Sequence, residues 1–440
     1  MEIFQNLECA IFFRLKNSKK SAIRKTKMNS LKMHIKNKNI GNFLLVVTAF
    51  VCLLSACGED RTYEYHELTT RDREMQVTLT DWYLWGDSLT DVDWKNYFLD
   101  PDAFLAKMQA MTPDGDDWSY CSIDTLDEDY FPIGNFQHND SYGIDVKLVT
   151  DPTGETTKQF ARVVTVFDNS PASRCGIQRN DFIGTVDDVK MSSSVLSKLV
   201  SGRSHSLLVS HIGYDEEEGT LVWTSVDTVT LEMSQKVDVP AVTISKMLNS
   251  DVAYIMLTNM NSIDAIAPSI SNLLSNDPQD LIIDVRLCNQ GTIDCAVGIA
   301  NLVASMSGTF LQTVWNSRHS SENHTYEVNA TSGVNLFFLT SGYTQGAAEW
   351  LIYGLKSANR RGVVTVGQTT AGQNVMLKDF ATQFYYTLHA ATCYVNDRDG
   401  NHDYAYGISP DLEVDEFESA FIYPYGDERE ALIDAVLSNY

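Results

Sequence analysis

Positive charge is scarce in this chain of 440 residues, and its scarcity excludes one class of partner. The sequence has 33 lysines and arginines against 58 aspartates and glutamates, which gives a formal net charge of −25. Ten of the bases lie in residues 1–56, so the remainder has 23 bases against 56 acids. Because proteins bind nucleic acids through basic patches, we expect this chain to bind none.

Metal-ligand spacings and disulfide patterns are also missing. The eight cysteines show no CxxC spacing and the nine histidines are scattered, so we expect no metal site and no cofactor. Most of the thiols are expected to be buried small apolar groups. A Cys288–Cys295 disulfide remains an alternative.

The amino terminus has the order of a targeting segment. Basic residues crowd positions 14–38, and an apolar run of twelve follows at 43–54, too short to span a membrane as a mature helix. The run ends in Leu54-Ser55-Ala56-Cys57, which resembles a bacterial lipobox. This resemblance implies a signal peptide over 1–56 and lipidation of Cys57. An uncleaved anchor and an ordinary signal peptide are the alternatives.

A lipid on Cys57 would place the mature protein in the bacterial cell envelope. We expect an outer-membrane lipoprotein that is held to the membrane by this anchor, facing either the periplasm or the cell surface.

The rest of the chain divides into four segments. Residues 57–72 are predicted to be a tether, and residues 73–137 a small helical region in which Asp100 caps a helix that starts at Pro101. Residues 138–236 are rich in predicted strands. Residues 237–440 alternate strands with helices, so the chain is predicted to be a multidomain protein of the α+β and α/β classes.

The β-rich segment contains a specific turn. Residues 170–177 read Ser-Pro-Ala-Ser-Arg-Cys-Gly-Ile and precede a strand that begins near Asp181. This pattern resembles a PDZ domain. The resemblance implies binding of a carboxy-terminal peptide as an added strand, with its carboxylate held by the backbone of Tyr142, Gly143 and Ile144. The alternative is a module that only braces the rest of the chain.

The α/β segment is organised around residues 335–378. A buried strand is predicted at 336–339, followed by a turn and by a helix that opens near Ala347 with Glu349 in its first turn. A second strand, 363–366, ends in the glycine- and threonine-rich loop 367–374. Turns at the ends of such strands are where α/β proteins place their sites.

These two turns resemble the active-site segments of the S41 serine peptidases, also called tail-specific or C-terminal processing proteases. The resemblance implies a ClpP/crotonase-like α/β protease domain. In that family the first turn supplies a nucleophilic serine and the second a general-base lysine. The matching positions here are Gly346 and Gln373. Glycine has no nucleophile, and a glutamine amide does not accept a proton near neutral pH.

A third segment departs from the family pattern in one position. Residues 284–291 resemble the family's oxyanion loop, in which Gly291 matches a glycine but Gln290 stands where the first glycine is expected. Asp284 and Arg286 are two apart on a strand, so we expect them to form an ion pair. Residues 407–411, Gly-Ile-Ser-Pro-Asp, match the family's closing motif.

Three functions are compatible with these patterns. The first is a catalytically inactive S41 homologue that binds peptides or protein carboxy termini through the PDZ-like module and the vestigial cleft. The second is an active serine peptidase with substitute residues, for which Ser341 and Lys378 are the neighbouring candidates. The third is a structural or regulatory partner of a cell-envelope complex.

The anchor can be tested by one substitution. Cys57→Ala removes the thiol that would carry the lipid, so the mature protein should move from the membrane fraction to the soluble fraction. The measurement is fractionation followed by immunoblotting. Identical fractionation of Cys57→Ala and the parent chain would contradict the lipobox interpretation.

Overall fold

The described part of the chain begins after the predicted anchor. The computed structural model describes residues 62–92, 97–113, 115–123, 140–200, 202–215, 217, 220–358, 362–384, 386–418 and 421–440. The predicted signal peptide and Cys57 lie outside these residues. Every sheet of the described residues lies in one compact unit, Glu67–Tyr440. Each helix in the described part of the chain is too short or too polar to span a lipid bilayer.

The first described element is a long helix, α1, at Thr62–Trp82. It begins inside the segment 57–72 predicted as a tether, because residues 62–82 contain no glycine or proline to interrupt a helix. A 3₁₀ turn at Gly86–Ser88 and the helix α2, Pro101–Gln109, complete the predicted helical region.

The start of α2 confirms its predicted cap. The Asp100 side chain accepts a hydrogen bond from the Ala103 N–H at 2.8 Å, and Pro101 takes the first helical position. The buried side chains of the two helices, including Leu79 and Phe104, pack with Leu388 in one apolar cluster.

The β-rich module is built on an antiparallel sheet. Its strands are β3 Ile144–Thr150, β4 Gln159–Val166, β5 Phe182–Val186, β6 Val189–Lys190, β7 His205–Asp215 and β8 Thr220–Leu231. They are arranged in the order β3-β4-β5-β7-β8, with β6 paired to β5. The two-stranded pair β2 Asp140–Ser141 and β9 Gln235–Lys236 lies where the chain enters and leaves the module.

Two short helices complete this module. Helix α3, Pro171–Arg174, is capped by Ser170, whose side chain accepts from the Ser173 N–H at 3.1 Å. Helix α4, Ser193–Leu196, continues as a 3₁₀ turn at Ser197–Leu199.

The α/β segment is built on a second six-stranded sheet. Its strands are β10 Val242–Met247, β11 Val252–Leu257, β12 Asp280–Asp284, β15 Asn335–Thr340, β16 Val363–Gly367 and β19 Leu412–Glu413. They are arranged in the order β10-β11-β12-β15-β16-β19. All of the pairs are parallel except β10 with β11.

Helices cover both faces of this sheet, as apolar parallel strands require. Along β12, Ile283 joins the cluster that contains α5 Ile263–Leu274, α6 Ile293–Val303 and α7 Ala347–Ala358. Its neighbour Ile282 joins the cluster that contains α8 Ala431–Asn439. Successive side chains of a strand point to opposite faces, so the uninterrupted apolar runs of the sequence are explained by burial on both sides.

A further antiparallel sheet contains the remaining strands. These are β1 Tyr120–Ile123, β13 Ser305–Trp315, β14 His324–Thr331, β17 Val375–Ala381 and β18 Tyr386–Asp397. Their order is β1-β18-β13-β14, with β17 paired to β18. A 3₁₀ segment at Ser317–Glu322 links β13 to β14. Strand β17 begins directly after the loop that contains Gln373.

Arg286 lies at the centre of a buried charge cluster. Its guanidinium contacts Asp284 at 2.7 Å, Glu430 at 2.7 Å and Glu416 at 3.1 Å. The predicted pair of Asp284 with Arg286 is therefore confirmed, within a larger cluster. Arg179 of the β-rich module also pairs with Glu416. Burial of these charges is tolerable because each has a close partner of opposite sign.

Removing the central cation should destabilise the protein strongly. Arg286→Met leaves its carboxylate partners without that cation, and we expect the free energy of unfolding to fall by about 3–5 kcal/mol. Urea denaturation followed by circular dichroism measures this change.

The matched control is Arg174→Met. Arg174 pairs with Glu232 at 2.8 Å on the surface, where the two side chains are 41% and 62% exposed. Loss of an exposed pair should change the free energy of unfolding by about 1 kcal/mol or less. Equal effects of the two substitutions would show that the buried cluster has no special role.

Candidate active site

Two turns meet at one edge of the parallel sheet, where β15 and β16 end. The first turn leads from β15 into α7, and Gly346 stands immediately before that helix. The backbone of Gly346 has φ = 61°, in the left-handed region that glycine adopts without strain. The second turn follows β16 and contains Gln373. The structure therefore brings the two predicted positions together.

The carboxylate of Glu349 holds these turns in place. It is fully buried and accepts hydrogen bonds from the N–H groups of Gly346, Gly372 and Gln373, at 3.1, 2.6 and 2.8 Å. The hydroxyl of Thr370 donates to it as well. Burial raises the pKa of Glu349, while the four donors act in the opposite direction by favouring its charged form. Glu349, in the first turn of α7, thus joins the two turns to each other.

The side chain of Gln373 occupies the space beside Gly346. A Cβ built on Gly346 would lie 3.1 Å from the Gln373 Oε1 atom. That same oxygen accepts a hydrogen bond from the Gln345 Nε2 amide at 2.8 Å, and the Gln373 Nε2 amide donates to the Val375 carbonyl at 3.2 Å. The position expected for a nucleophile and its base therefore contains a pair of neutral amides.

The loop that resembles an oxyanion loop packs against the same turn. A Cβ on Gly291 would come within 2.6 Å of the Cβ atoms of Ala347 and Met260, so only glycine fits at this contact. The carbonyl of Gln290 accepts from the Met260 N–H at 2.8 Å. Gln290 is not in the left-handed region that its expected glycine could have adopted.

Hydroxyl groups close to Gly346 are committed to structural bonds. Ser341 Oγ donates to the Arg286 carbonyl at 2.7 Å, and Thr344 Oγ1 donates to the Val285 carbonyl at 2.9 Å. The candidate substitute base is also engaged elsewhere. Lys378 Nζ lies 3.3 Å above the centre of the Trp82 ring, in a cation–π contact.

The predicted peptide-binding loop lies at the start of β3. Tyr142 is fully buried, and its hydroxyl donates to the Arg203 carbonyl at 2.5 Å. Gly143 has φ = 67°, and its N–H donates to Ser141 Oγ at 3.1 Å. Ser141 therefore competes for one of the backbone donors assigned to a ligand carboxylate.

The backbone N–H of Ile144 points away from β4. Gly143 accepts a hydrogen bond from the Phe167 N–H, so it belongs to a bonded position of the antiparallel ladder with β4. Alternation along such a ladder turns the next N–H, that of Ile144, towards the outer edge of β3. Within the described residues, β3 is the terminal strand on this side of the sheet.

Several features of the site have no signal in the sequence. The Gln345–Gln373 amide pair joins residues 28 apart, and the Trp350 Nε1–H donates to the Gln373 carbonyl at 2.9 Å.

Cys288 and Cys295 are both free thiols in the structure, and burial raises their pKa to about 12 and about 11. In the described parts of the chain, no three histidine, cysteine, aspartate or glutamate side chains are placed to hold a metal ion.

Comparison with known proteins agrees with this architecture. Residues 251–414 match the model of peptidase family S41. A protein from Bacteroides fragilis NCTC 9343, described as a candidate S41 protease, superposes with a TM-score of 0.73 at 22% identity, over 83% of this chain and 96% of its own. The photosystem II D1 C-terminal processing protease superposes with a TM-score of 0.49 at 16% identity, over 84% of this chain and 97% of its own.

No curated protein sequence matches the chain significantly. The family match covers the sheet edge, both turns and the loop of Gly291. It ends after the closing motif at residues 407–411. The α/β domain of this chain is therefore a domain of peptidase family S41.

Proposed function

We propose that this chain is a catalytically inactive S41 homologue, anchored by lipid in the bacterial cell envelope, that binds peptides or protein carboxy termini. The observation that carries the proposal is the amide pair beside Gly346. Where catalysis needs a hydroxyl within reach of a base, the chain has no side chain on Gly346 and a neutral Gln373 bonded to Gln345.

The same arrangement favours binding over hydrolysis. Primary amides both donate and accept hydrogen bonds, so they suit the peptide groups of an extended chain without the cost of burying a charge. The buried Glu349 carboxylate keeps the surrounding backbone in place whether or not a nucleophile is present. The cleft therefore offers a fixed polar surface next to the PDZ-like module.

The outer edge of β3 provides a second binding element. Strand β3 ends the sheet order of the described residues, and the alternation of its ladder directs the Ile144 N–H away from β4. An extended peptide can add to such an edge through main-chain hydrogen bonds. The Gly143 N–H would become available to a carboxylate once it exchanges Ser141 Oγ for the ligand.

A structural or regulatory role is the second candidate, and one set of contacts favours it. The β-rich module is fastened to the carboxy-terminal segment of the α/β domain. Arg179 Nε donates to the Tyr423 carbonyl at 3.1 Å, and Thr165 Oγ1 lies 3.1 Å from the Tyr425 hydroxyl. Lys147 Nζ lies 4.2 Å from the centre of the Phe417 ring. A module that only braced the domain would need these contacts and no ligand.

Peptide titration separates the two candidates. The full mature chain should bind a peptide with a free carboxy terminus about tenfold or more tightly than its amidated form, since the acid makes charge-assisted hydrogen bonds. Isothermal titration or fluorescence anisotropy measures both affinities.

Ser141→Ala sharpens this experiment. It removes the acceptor that competes for the Gly143 N–H, so the preference for the free acid should increase. Ser192→Ala, in a serine at the start of α4, is the control and should leave the preference unchanged. If the free-acid and amidated peptides bind equally well, or if neither binds, the β-rich module has only a structural role.

Restoration of the S41 residues tests the loss of catalysis. Gly346→Ser alone should hydrolyse nothing, because an unactivated hydroxyl is a weak nucleophile. Adding Gln373→Lys should give at most trace hydrolysis, since a missing oxyanion donor costs on the order of 10²–10³ in rate. The triple variant, which also contains Gln290→Gly, is the one that we expect to cleave an unfolded protein such as casein.

The control for restoration is a triple variant with Gly346→Ala in place of Gly346→Ser. It carries the same strain at φ = 61° and the same contact with residue 373, but it has no hydroxyl. Hydrolysis by the triple variant that contains Gly346→Ser, but not by the one that contains Gly346→Ala, would support the assignment of the site. Robust proteolysis by the parent chain would overturn the proposed function.

A further inference from the structure

A serine, a histidine and an aspartate are joined in a row on the sheet formed by β1, β18 and β17. Ser122 Oγ lies 2.8 Å from His389 Nε2, and His389 Nδ1 lies 2.6 Å from Asp379 Oδ1. We propose that Ser122 is an activated nucleophile, with His389 as its general base and Asp379 as a positioning residue. This group, which we call the Ser122 triad, belongs to a different sheet from the turns of Gly346 and Gln373.

The strand register explains why these residues meet. His389 in β18 stands opposite Asp379 in β17 on one side and opposite Tyr120 in β1 on the other. Ser122 lies two residues after Tyr120 in β1, so its side chain is on the same face and diagonal to His389. Diagonal neighbours across antiparallel strands are within reach of an imidazole ring.

The connectivity of the ring has the order that general-base catalysis requires. A hydrogen bond from Nδ1–H to the Asp379 carboxylate fixes the tautomer in which Nε2 is free to accept the Ser122 proton. Tyr120 stacks on the imidazole, with ring centres 4.2 Å apart and planes 16° from parallel. The His389 side chain is only 15% exposed, which holds the ring in one orientation.

The reaction that fits this group is hydrolysis of small aryl esters. Ser122 Oγ attacks the ester carbonyl carbon while His389 Nε2 takes the hydroxyl proton. The bond from carbon to the phenol oxygen then breaks, and the phenol leaves with that proton. Water attacks the acyl-serine with His389 again as base, and this step releases the carboxylic acid and restores Ser122.

Two features select aryl esters among acyl compounds. Tyr120, beside the triad, is 48% exposed, so a flat aromatic group can stack against its ring. A phenol is also a good leaving group and needs less stabilisation of the developing charge than an amine does. Peptide hydrolysis is therefore not expected from this group.

The experiment uses the full chain with a fluorophosphonate probe, which bonds to activated serines, and with p-nitrophenyl acetate. Mass spectrometry of the labelled parent chain should locate the adduct on Ser122, and Ser122→Ala should abolish both labelling and ester hydrolysis. His389→Gln should lower the labelling rate by about 10²-fold or more, the usual contribution of a general base. Asp379→Asn should also lower it, and Asp379→Glu should restore part of the rate, which a merely structural carboxylate would not do.

The matched control is Ser225→Ala. Ser225 is exposed on β8 and stands opposite His211, but both nitrogens of that ring face carboxylates, those of Asp181 and Asp227. Its removal should leave labelling unchanged. No adduct on the parent chain, or an adduct that survives Ser122→Ala, would overturn the Ser122 triad. An adduct within residues 335–378 would instead overturn the proposed loss of catalysis at the S41 cleft.

Discussion

The buried carboxylate of Glu349 is the constraint on which the site depends. A charge removed from water must be compensated, and four donors from the two turns compensate it. Three of them are backbone N–H groups, which are present whatever side chain follows. These three bonds therefore do not depend on which side chains stand at positions 346 and 373.

The cluster around Arg286 plays the corresponding role between parts of the molecule. Its guanidinium joins the end of β12 to Glu416 and Glu430 of the carboxy-terminal segment. Arg179 extends the same cluster into the β-rich module through Glu416. Burial makes these charges interact strongly, because little water remains to screen them. The cluster thus fixes the module beside the domain that contains the cleft.

The two serine-containing regions differ in what their neighbours permit. At the S41 cleft, Ser341 donates its proton to a backbone carbonyl, which cannot act as a base. At Ser122 the partner is an imidazole that is itself bonded to a carboxylate. The match to peptidase family S41 would place an active site at the cleft, whereas the hydrogen bonds of Ser122 are those of an activated serine. Function has to be argued from the site rather than from the fold.

The sequence by itself determined three strands of the parallel sheet and the residue types at its two turns. Apolar runs specified β11, β12 and β15, and glycine at 346 with glutamine at 373 excluded the expected nucleophile and base through residue type alone. These conclusions depend only on side-chain chemistry and local spacing. The start of α1 within the predicted tether shows the limit of this reasoning, since element boundaries are its least reliable product.

Only the tertiary structure decided which distant residues share a contact. Glu416 and Glu430 lie 130 and 144 positions from Arg286, and Ser122 lies 267 positions from His389. No periodicity relates such residues, because their contacts arise from strand order and register rather than from local sequence. The amide pair of Gln345 and Gln373 has the same origin, in two turns that meet at one sheet edge. The sequence showed that serine and lysine are absent from positions 346 and 373, and the fold placed the amides of Gln345 and Gln373 there.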